Sequence, residues 1–293
     1  MKHTKFVMAV LVPAFLFLGY FVFYPVIYGL FISFFDFNPT SSVQPFVGLD
    51  NYARLVHDPV FWKAVGNTFF FCFVTVALNI VISLFLASII CAIPSKGLRT
   101  LFRTIIFIPC IAPIVGTSIV WKHGIIAVDS GLLNQVLKFL FNMPAKNWLL
   151  TGMPMMMIII VYTLWADIGY NVILFTAGLE SIPKSFEEAA MVDGAGALRR
   201  FLSVRLPLMR RTFVFVAIMS VADYFQQFAQ FRVLVADGGR DFSVMVLTNY
   251  IYRTSFTSFD MGYASAIAAA LFIIVFIVAL IQNRIMRADW SYE

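Results

Sequence analysis

The stretch Gly66-Asn-Thr-Phe-Phe-Phe-Cys-Phe-Val-Thr-Val-Ala-Leu-Asn-Ile-Val-Ile-Ser-Leu-Phe-Leu-Ala-Ser-Ile-Ile-Cys-Ala-Ile93 carries no charged residue from end to end. A helix needs about 20 apolar residues to cross the hydrocarbon core of a bilayer. Residues 66–93 therefore predict one complete transmembrane helix. The signature recurs on both sides, at residues 6–35, 104–121, 153–178, 212–236 and 262–285. Together these runs predict an all-α integral membrane protein of about six transmembrane helices, organised as a single domain over residues 1–293.

Polar, turn-rich connections separate the runs. Residues 36–65 hold Asn38, Pro39, Pro45, Gly48, Asp58 and Pro59, and residues 122–150 hold Asp129, Gly131, Asn134, Gln135 and Trp148. Pro13 and Pro25 predict a tilted or kinked first helix. Lys2 and Lys5 ahead of an apolar run suggest a signal peptide, but the run is too long and no small-residue cleavage site follows, so an uncleaved anchor is expected.

Composition agrees with a bilayer as solvent. The chain is 61% hydrophobic and 12% charged, whereas soluble domains are about half apolar and a quarter charged. Its aromatic content of 17%, with 33 Phe, suits lipid-facing helices and interfacial belts. The net charge of +6 is dispersed between apolar runs, which argues against a nucleic-acid footprint. Cys72, Cys91 and Cys110 lie in apolar runs without a CxxC, and His3, His57 and His123 are scattered without ligand spacing. Neither a metal site, nor a disulfide framework, nor a catalytic constellation is indicated.

The bases set an orientation. With the N-terminus inside, 13 of the 21 Lys and Arg residues fall in cytoplasmic segments, and both termini are expected in the cytoplasm. Lys96, Arg99 and Arg103 contribute, as do Arg284 and Arg287. The largest group, Lys184, Arg199, Arg200, Arg205, Arg210 and Arg211, places segment 179–211 on the cytoplasmic side, between the fourth and fifth spans.

That segment reads as a short helix, a sharp turn and a second helix. Pro183 with Ser185 as N-cap starts the first helix, and Glu187 and Glu188 sit in its first turn, where the helix dipole favours them. Ala189, Ala190, Met191 and Val192 give it a small, partly apolar face, and Gly194 and Gly196 end it. The second helix, residues 198–205, is expected to stop at Pro207. Small residues that let another surface approach closely suit docking onto a partner.

Glu188-Ala189-Ala190, three residues, Gly194, nine residues, Val204, one residue and Leu206-Pro207 form a spacing that resembles the coupling-loop signature of binding-protein-dependent ABC importer permeases, which more often carry Ile where Val204 stands. Phe46-Val-Gly-Leu-Asp-Asn-Tyr52, Gly66-Asn67-Thr68, Tyr250-Ile251-Tyr252 and Met261-Gly-Tyr-Ala-Ser-Ala266 are similar to the sugar-importing, maltose-type branch. Asp237-Gly238-Gly239-Arg240 departs from it, since many relatives carry Pro after the glycines. The resemblance implies that Glu187, Glu188, Ala189, Ala190, Asp193, Gly194, Leu206 and Pro207 couple this chain to a separate ATPase. It further implies two ATPase copies that use ATP and Mg, a second homologous permease, an extracytoplasmic solute-binding protein, and a bacterial or archaeal cytoplasmic (inner) membrane. The chain itself has no Gly-x4-Gly-Lys-Ser/Thr phosphate loop, so it is expected to be no enzyme and to bind no cofactor.

Polar residues inside a membrane are costly and face the bundle interior or a wet cavity. Asp223, Gln227 and Gln230 recur at i, i+4, i+7 on the fifth run with Tyr224 beside them, and Asp167 and Asn171 are an i, i+4 pair on the fourth with Tyr170 adjacent. Carboxylates, amides and rings suit a polyhydroxyl solute. The same groups could instead be interhelical glue, worth about 0.6–2 kcal/mol each, with the acids pairing to Arg232 or to a base on a sister subunit. Asn79 and Met153-Pro154-Met155-Met156-Met157 read as packing features. A phosphate would call for an Arg/Lys clamp, so a neutral sugar is favoured.

Two other classes compete. A secondary transporter driven by an ion gradient should show inverted repeats and paired broken helices, and none is visible. A membrane-embedded enzyme should gather acids, His or Cys at one depth, and no such set occurs.

Overall fold

The computed structural model describes residues 2–150 and 152–285, with side chains from Val7 onward. Arg287, counted above among the basic topology signals, lies outside the described residues. Five helices are long and apolar enough to cross a membrane: Val7–Ile32, Pro59–Ala92, Gly152–Glu180, Arg210–Leu234 and Met261–Ile285. A bent pair, Lys96–Ile111 with Ile114–Ile125, supplies the sixth.

The chain divides into two compact units, one made of Met1–Trp62 with Leu247–Ile274 and the other of Lys63–Val246 with Val275–Glu293. In the first unit the motif around residues 46–52 works structurally. Asn51 Nδ2 donates to the carbonyls of Ser33 and Phe35, both at 2.9 Å, and the Tyr52 hydroxyl meets Ser33 Oγ at 2.7 Å, closing the connection back onto the end of the first span. Asp58 accepts hydrogen bonds from Tyr250 Oη at 2.5 Å and Tyr263 Oη at 2.6 Å, one tyrosine from each of the two later motifs. Arg54 pairs with Asp260 at 2.7 Å and lies 3.9 Å over the Tyr263 ring.

The first span differs from expectation in its bend. Pro13 is accommodated inside a regular helix, Lys2–Leu18, and the irregularity is a π-turn, Gly19–Phe23, directly ahead of Pro25. Pro25 has no N–H and its ring crowds the preceding turn, so a widened turn relieves the clash. None of the span's most apolar window is buried within this chain.

In the second unit the third span is not the straight run expected over 104–121. Its two halves meet at 93°. Pro113 forces Ala112 into extended backbone (φ −71°, ψ 140°), ending the first half at Ile111. Irregular backbone at membrane depth must find protein partners. Tyr162 of the fourth span provides them: its hydroxyl donates to Ile114 O at 2.9 Å and meets Thr117 Oγ1 at 2.8 Å and Ser118 Oγ at 2.9 Å. Trp121 and Trp165 pack around the same ring, at 5.4 and 6.1 Å between centroids.

The first half of the third span lies tight against the fourth. A Cβ added at Gly169 would come within 2.4 Å of the Ile106 carbonyl oxygen. Small residues permit such approach, which is how helices associate without a hydrophobic drive from lipid. Asn67, from the Gly66-Asn67-Thr68 motif, donates to Ser243 O at 3.2 Å and Met245 O at 2.9 Å, anchoring the connection that follows the fifth span.

Gly169→Ala is expected to lower the unfolding midpoint of the detergent-solubilised protein, by an overpacking cost of about 1–3 kcal/mol. Gly116→Ala, where an added Cβ meets nothing within 4 Å, should leave it unchanged. Thermal melts followed by aggregation or by tryptophan emission separate the two, and equal midpoints would show that the helices tolerate separation at Gly169.

Candidate functional site

A cavity of about 560 Å³ opens in the second unit. Phe107 and Cys110 border it from the third span, Asp167, Tyr170 and Asn171 from the fourth, and Ser220, Asp223, Tyr224 and Gln226 from the fifth. Its volume lies within the range of small-ligand sites. Five of the seven residues expected to meet a solute therefore lie around one space. On the fourth span this follows from helical spacing alone, because Asp167 and Asn171 are one turn apart.

Gln227 and Gln230 are placed elsewhere, and the reason is a break in the helix. Regular structure ends at Phe225, and a new helix, Ala229–Leu234, begins after Phe228 (φ −132°). Asp223, Gln227 and Gln230 consequently do not share a continuous face. Gln230 is fully buried and donates to Gln227 Oε1 at 2.7 Å and weakly to Thr163 Oγ1 at 3.5 Å. Phe231, one residue on, stacks edge-on with Phe71 at 4.8 Å, so core packing draws this short helix inward. Gln226 takes the cavity position instead.

One wall of the cavity is a buried hydrogen-bond chain that ties three spans together. Asn79 donates to Tyr224 Oη at 2.8 Å, and Asn171 Nδ2 donates to Asn79 Oδ1 at 2.7 Å and Ser220 Oγ at 3.1 Å. Asn79, expected only to pack, is the hub. Asp167 and Asp223 make no ion pair among the described residues. Arg232, offered as a partner for the acids, bonds the Ala236 carbonyl at 2.6 Å and pairs with Asp237 at 3.7 Å.

Segment 179–211 forms a braced loop. The helix Lys184–Val192 starts at Pro183, with no side-chain cap, so Ser185 is inside the first turn and is not its N-cap. At its end Gly194 adopts φ +74°. Gly194 N donates to Met191 O at 3.0 Å and Ala195 N to Ala190 O at 2.9 Å, the paired bonds of a Schellman ending that favours glycine at this place. The second helical stretch does not stop ahead of Pro207. It runs from Ala197 through a π-turn, Phe201–Arg205, to Leu206–Leu208, and the widened turn just ahead of Pro207 makes room for its ring.

Arg205 joins the two arms. Its Nε donates to Glu187 Oε1 at 2.7 Å and its Nη2 to Glu187 Oε2 at 2.8 Å, a fork-to-fork pair. Of the eight residues expected to couple, Glu187 is turned inward to this pair, while Glu188, Ala189, Asp193, Gly194 and Pro207 are exposed and Ala190 and Leu206 half-buried. Phe186, Met191, Val192 and Leu198 leave apolar side chains exposed on the same loop. Glu180, at the end of the fourth span, also receives Arg103 at 2.5 Å and Arg99 at 3.4 Å.

Residues 79–288 match the family of binding-protein-dependent transport system inner membrane components. The chain belongs to this family. It is 33% identical over 271 residues to the multiple sugar-binding transport system permease protein MsmF of Streptococcus mutans, covering 91% of this chain and 90% of that one. It is 30% identical over 272 residues to the lactose transport system permease protein LacF of Rhizobium radiobacter, covering 92% and 90%. Among solved structures it shares its fold with a chain of a bacterial ABC transporter that imports the acidic polysaccharide alginate (TM-score 0.85, 21% identity, 99% and 98% covered). Membership favours a transport component of the inner membrane over an ion-gradient transporter or a membrane enzyme, and the matched region includes both the cavity and the braced loop.

The Arg205 guanidinium, hydrogen-bonded to Glu187, holds that carboxyl below its ordinary pKa of 4.5. Because the shift is downward, the pair's contribution is complete above that value and is lost as the pH falls through the lowered one. Hydrogen-exchange protection factors over residues 184–208 are therefore expected to fall on acidification. In Glu187→Gln they should start lower, by about 0.5–1 kcal/mol for a part-exposed pair, and lose this acid sensitivity. An unchanged acid response in the variant would remove the ion pair as brace.

Proposed function

We propose that this chain is a permease subunit of an ATP-driven importer for a sugar or sugar-like solute, with residues 1–293 as one transmembrane domain and both termini cytoplasmic. The braced loop is the observation that carries this reading. An exposed helix with small residues and an apolar fringe is locked by Glu187–Arg205 to the arm that leads directly into the fifth span. A push on the loop therefore reaches a wall of the cavity through Ser220, Asp223 and Tyr224. A separate ATPase, present twice and using ATP and Mg, would deliver that push. One chain offers one such loop, so a second, homologous permease completes the pair, and the bare apolar surface of the first span is available to it or to lipid. An extracytoplasmic binding protein supplies the solute, in keeping with the family's description.

The names of MsmF and LacF support sugar as the solute class. So does the cavity, where Tyr170 and Phe107 offer ring faces and the acids and amides offer polar groups. Alternating access would expose this space first to the binding protein and then to the cytoplasm.

The test is ATP hydrolysis by the complex reconstituted in lipid, with and without loaded binding protein. Glu188→Lys and Gly194→Val are expected to cut the stimulated rate at least tenfold while the permease still inserts. If no ATPase co-purifies and uptake follows an imposed ion gradient, the importer reading fails.

A further inference from the structure

The charge of the cavity lining is lopsided. Asn171 is 6% exposed, and both hydrogens of its Nδ2 are spent inside the protein, on Asn79 and Ser220. Its carbonyl oxygen accepts nothing among the described residues. Gln226 commits its Nε2 to the Ala222 carbonyl at 2.9 Å, again leaving the carbonyl oxygen open. Asp167 Oδ2 is buried without a partner. The Asp223 carboxylate has neither a hydrogen bond nor an ion pair among the described residues. No Lys, Arg or His borders the space. What remains to donate is the hydroxyls of Tyr170, Tyr224 and Ser220, the Cys110 thiol and one Gln226 hydrogen.

What this chain leaves unmet is positive charge, which an occupant of the space can supply. Sugar hydroxyls can donate to these acceptors and accept from these donors, but they bring no charge. An ammonium carries three donors, no acceptor and the counter-charge that two acids at membrane depth lack. An anionic group would face two carboxylates with no cation to receive it. We infer that the solute is a saccharide bearing a protonated amine, seated between Asp167 and Asp223 with its ring against Tyr170. This inference rests on the sugar-importer reading and narrows its substrate class.

The experiment is calorimetric binding to the permease purified with its co-purifying subunits in nanodiscs, without binding protein. Three matched disaccharide probes are used: one of β-1,4-linked glucosamine, its N-acetylated neutral form, and one carrying a uronate. The amine probe is expected to bind at least about tenfold more tightly than the neutral one, as a charge-assisted bond requires, and the uronate not to bind. In the double variant Asp167→Asn with Asp223→Asn the preference for the amine should vanish, while ring stacking retains the neutral probe. If the neutral probe binds as tightly as the amine, or the uronate binds, the amine assignment is overturned and the sugar reading stands. If no saccharide of any charge binds, both fall together.

Discussion

Asn79 sits where the second, fourth and fifth spans converge, and its single amide group joins Asn171 to Tyr224. In hydrocarbon there is no water to compensate a broken bond, so each member of this chain holds the others in register. Leaving one buried group unpaired costs about 1–3 kcal/mol. The cavity exists because this wall stands. Residues that face the space are positioned by residues that face away from it, and the same amide that orients Asn171 takes one of its two donor hydrogens, Ser220 taking the other. Structural glue and a place on the cavity wall, set against each other on sequence grounds, are combined in Asn171 and Tyr224.

The braced loop obeys a similar economy at the other end of the fifth span. A helix of nine residues is too short to persist alone in water. Two devices hold it: the Schellman ending at Gly194 and the fork of Arg205 on Glu187. One of the acids in the Glu-Glu-Ala-Ala stretch is thus internal to the loop and the other faces outward. A family signature read only as a docking surface would miss this division. Tyr250 and Tyr263, one from each of the two later motifs, make the same point, since both serve Asp58.

The spans were legible because apolar length is a blunt signal, and Asp167 with Asn171 because one helical turn is a fixed spacing. The fifth span shows the limit. Nothing in Asp223-Tyr-Phe-Gln-Gln-Phe-Ala-Gln230 announces a break: it has no Pro and no Gly. The break comes from Gln230 and Phe231 being pulled toward the fourth and second spans, a tertiary demand that periodicity cannot register. Pro113 was visible, but within an apolar run it reads equally as a kink or as a full elbow. Glu187 and Arg205 stand 18 positions apart, and nothing local pairs them.

The elbow in the third span carries a mechanical consequence. Its freed backbone is held locally by the Thr117 and Ser118 hydroxyls and, from the neighbouring helix, by the phenol of Tyr162. Hydroxyl bonds of this kind have a narrow working range: from 2.8–2.9 Å, a displacement of under an ångström already carries them beyond bonding distance, and because they share one oxygen they are lost together. The joint is a latch, with engaged and released positions and little between. A transporter that must occupy discrete states, and dwell in each, gains from a joint that does not flex by degrees.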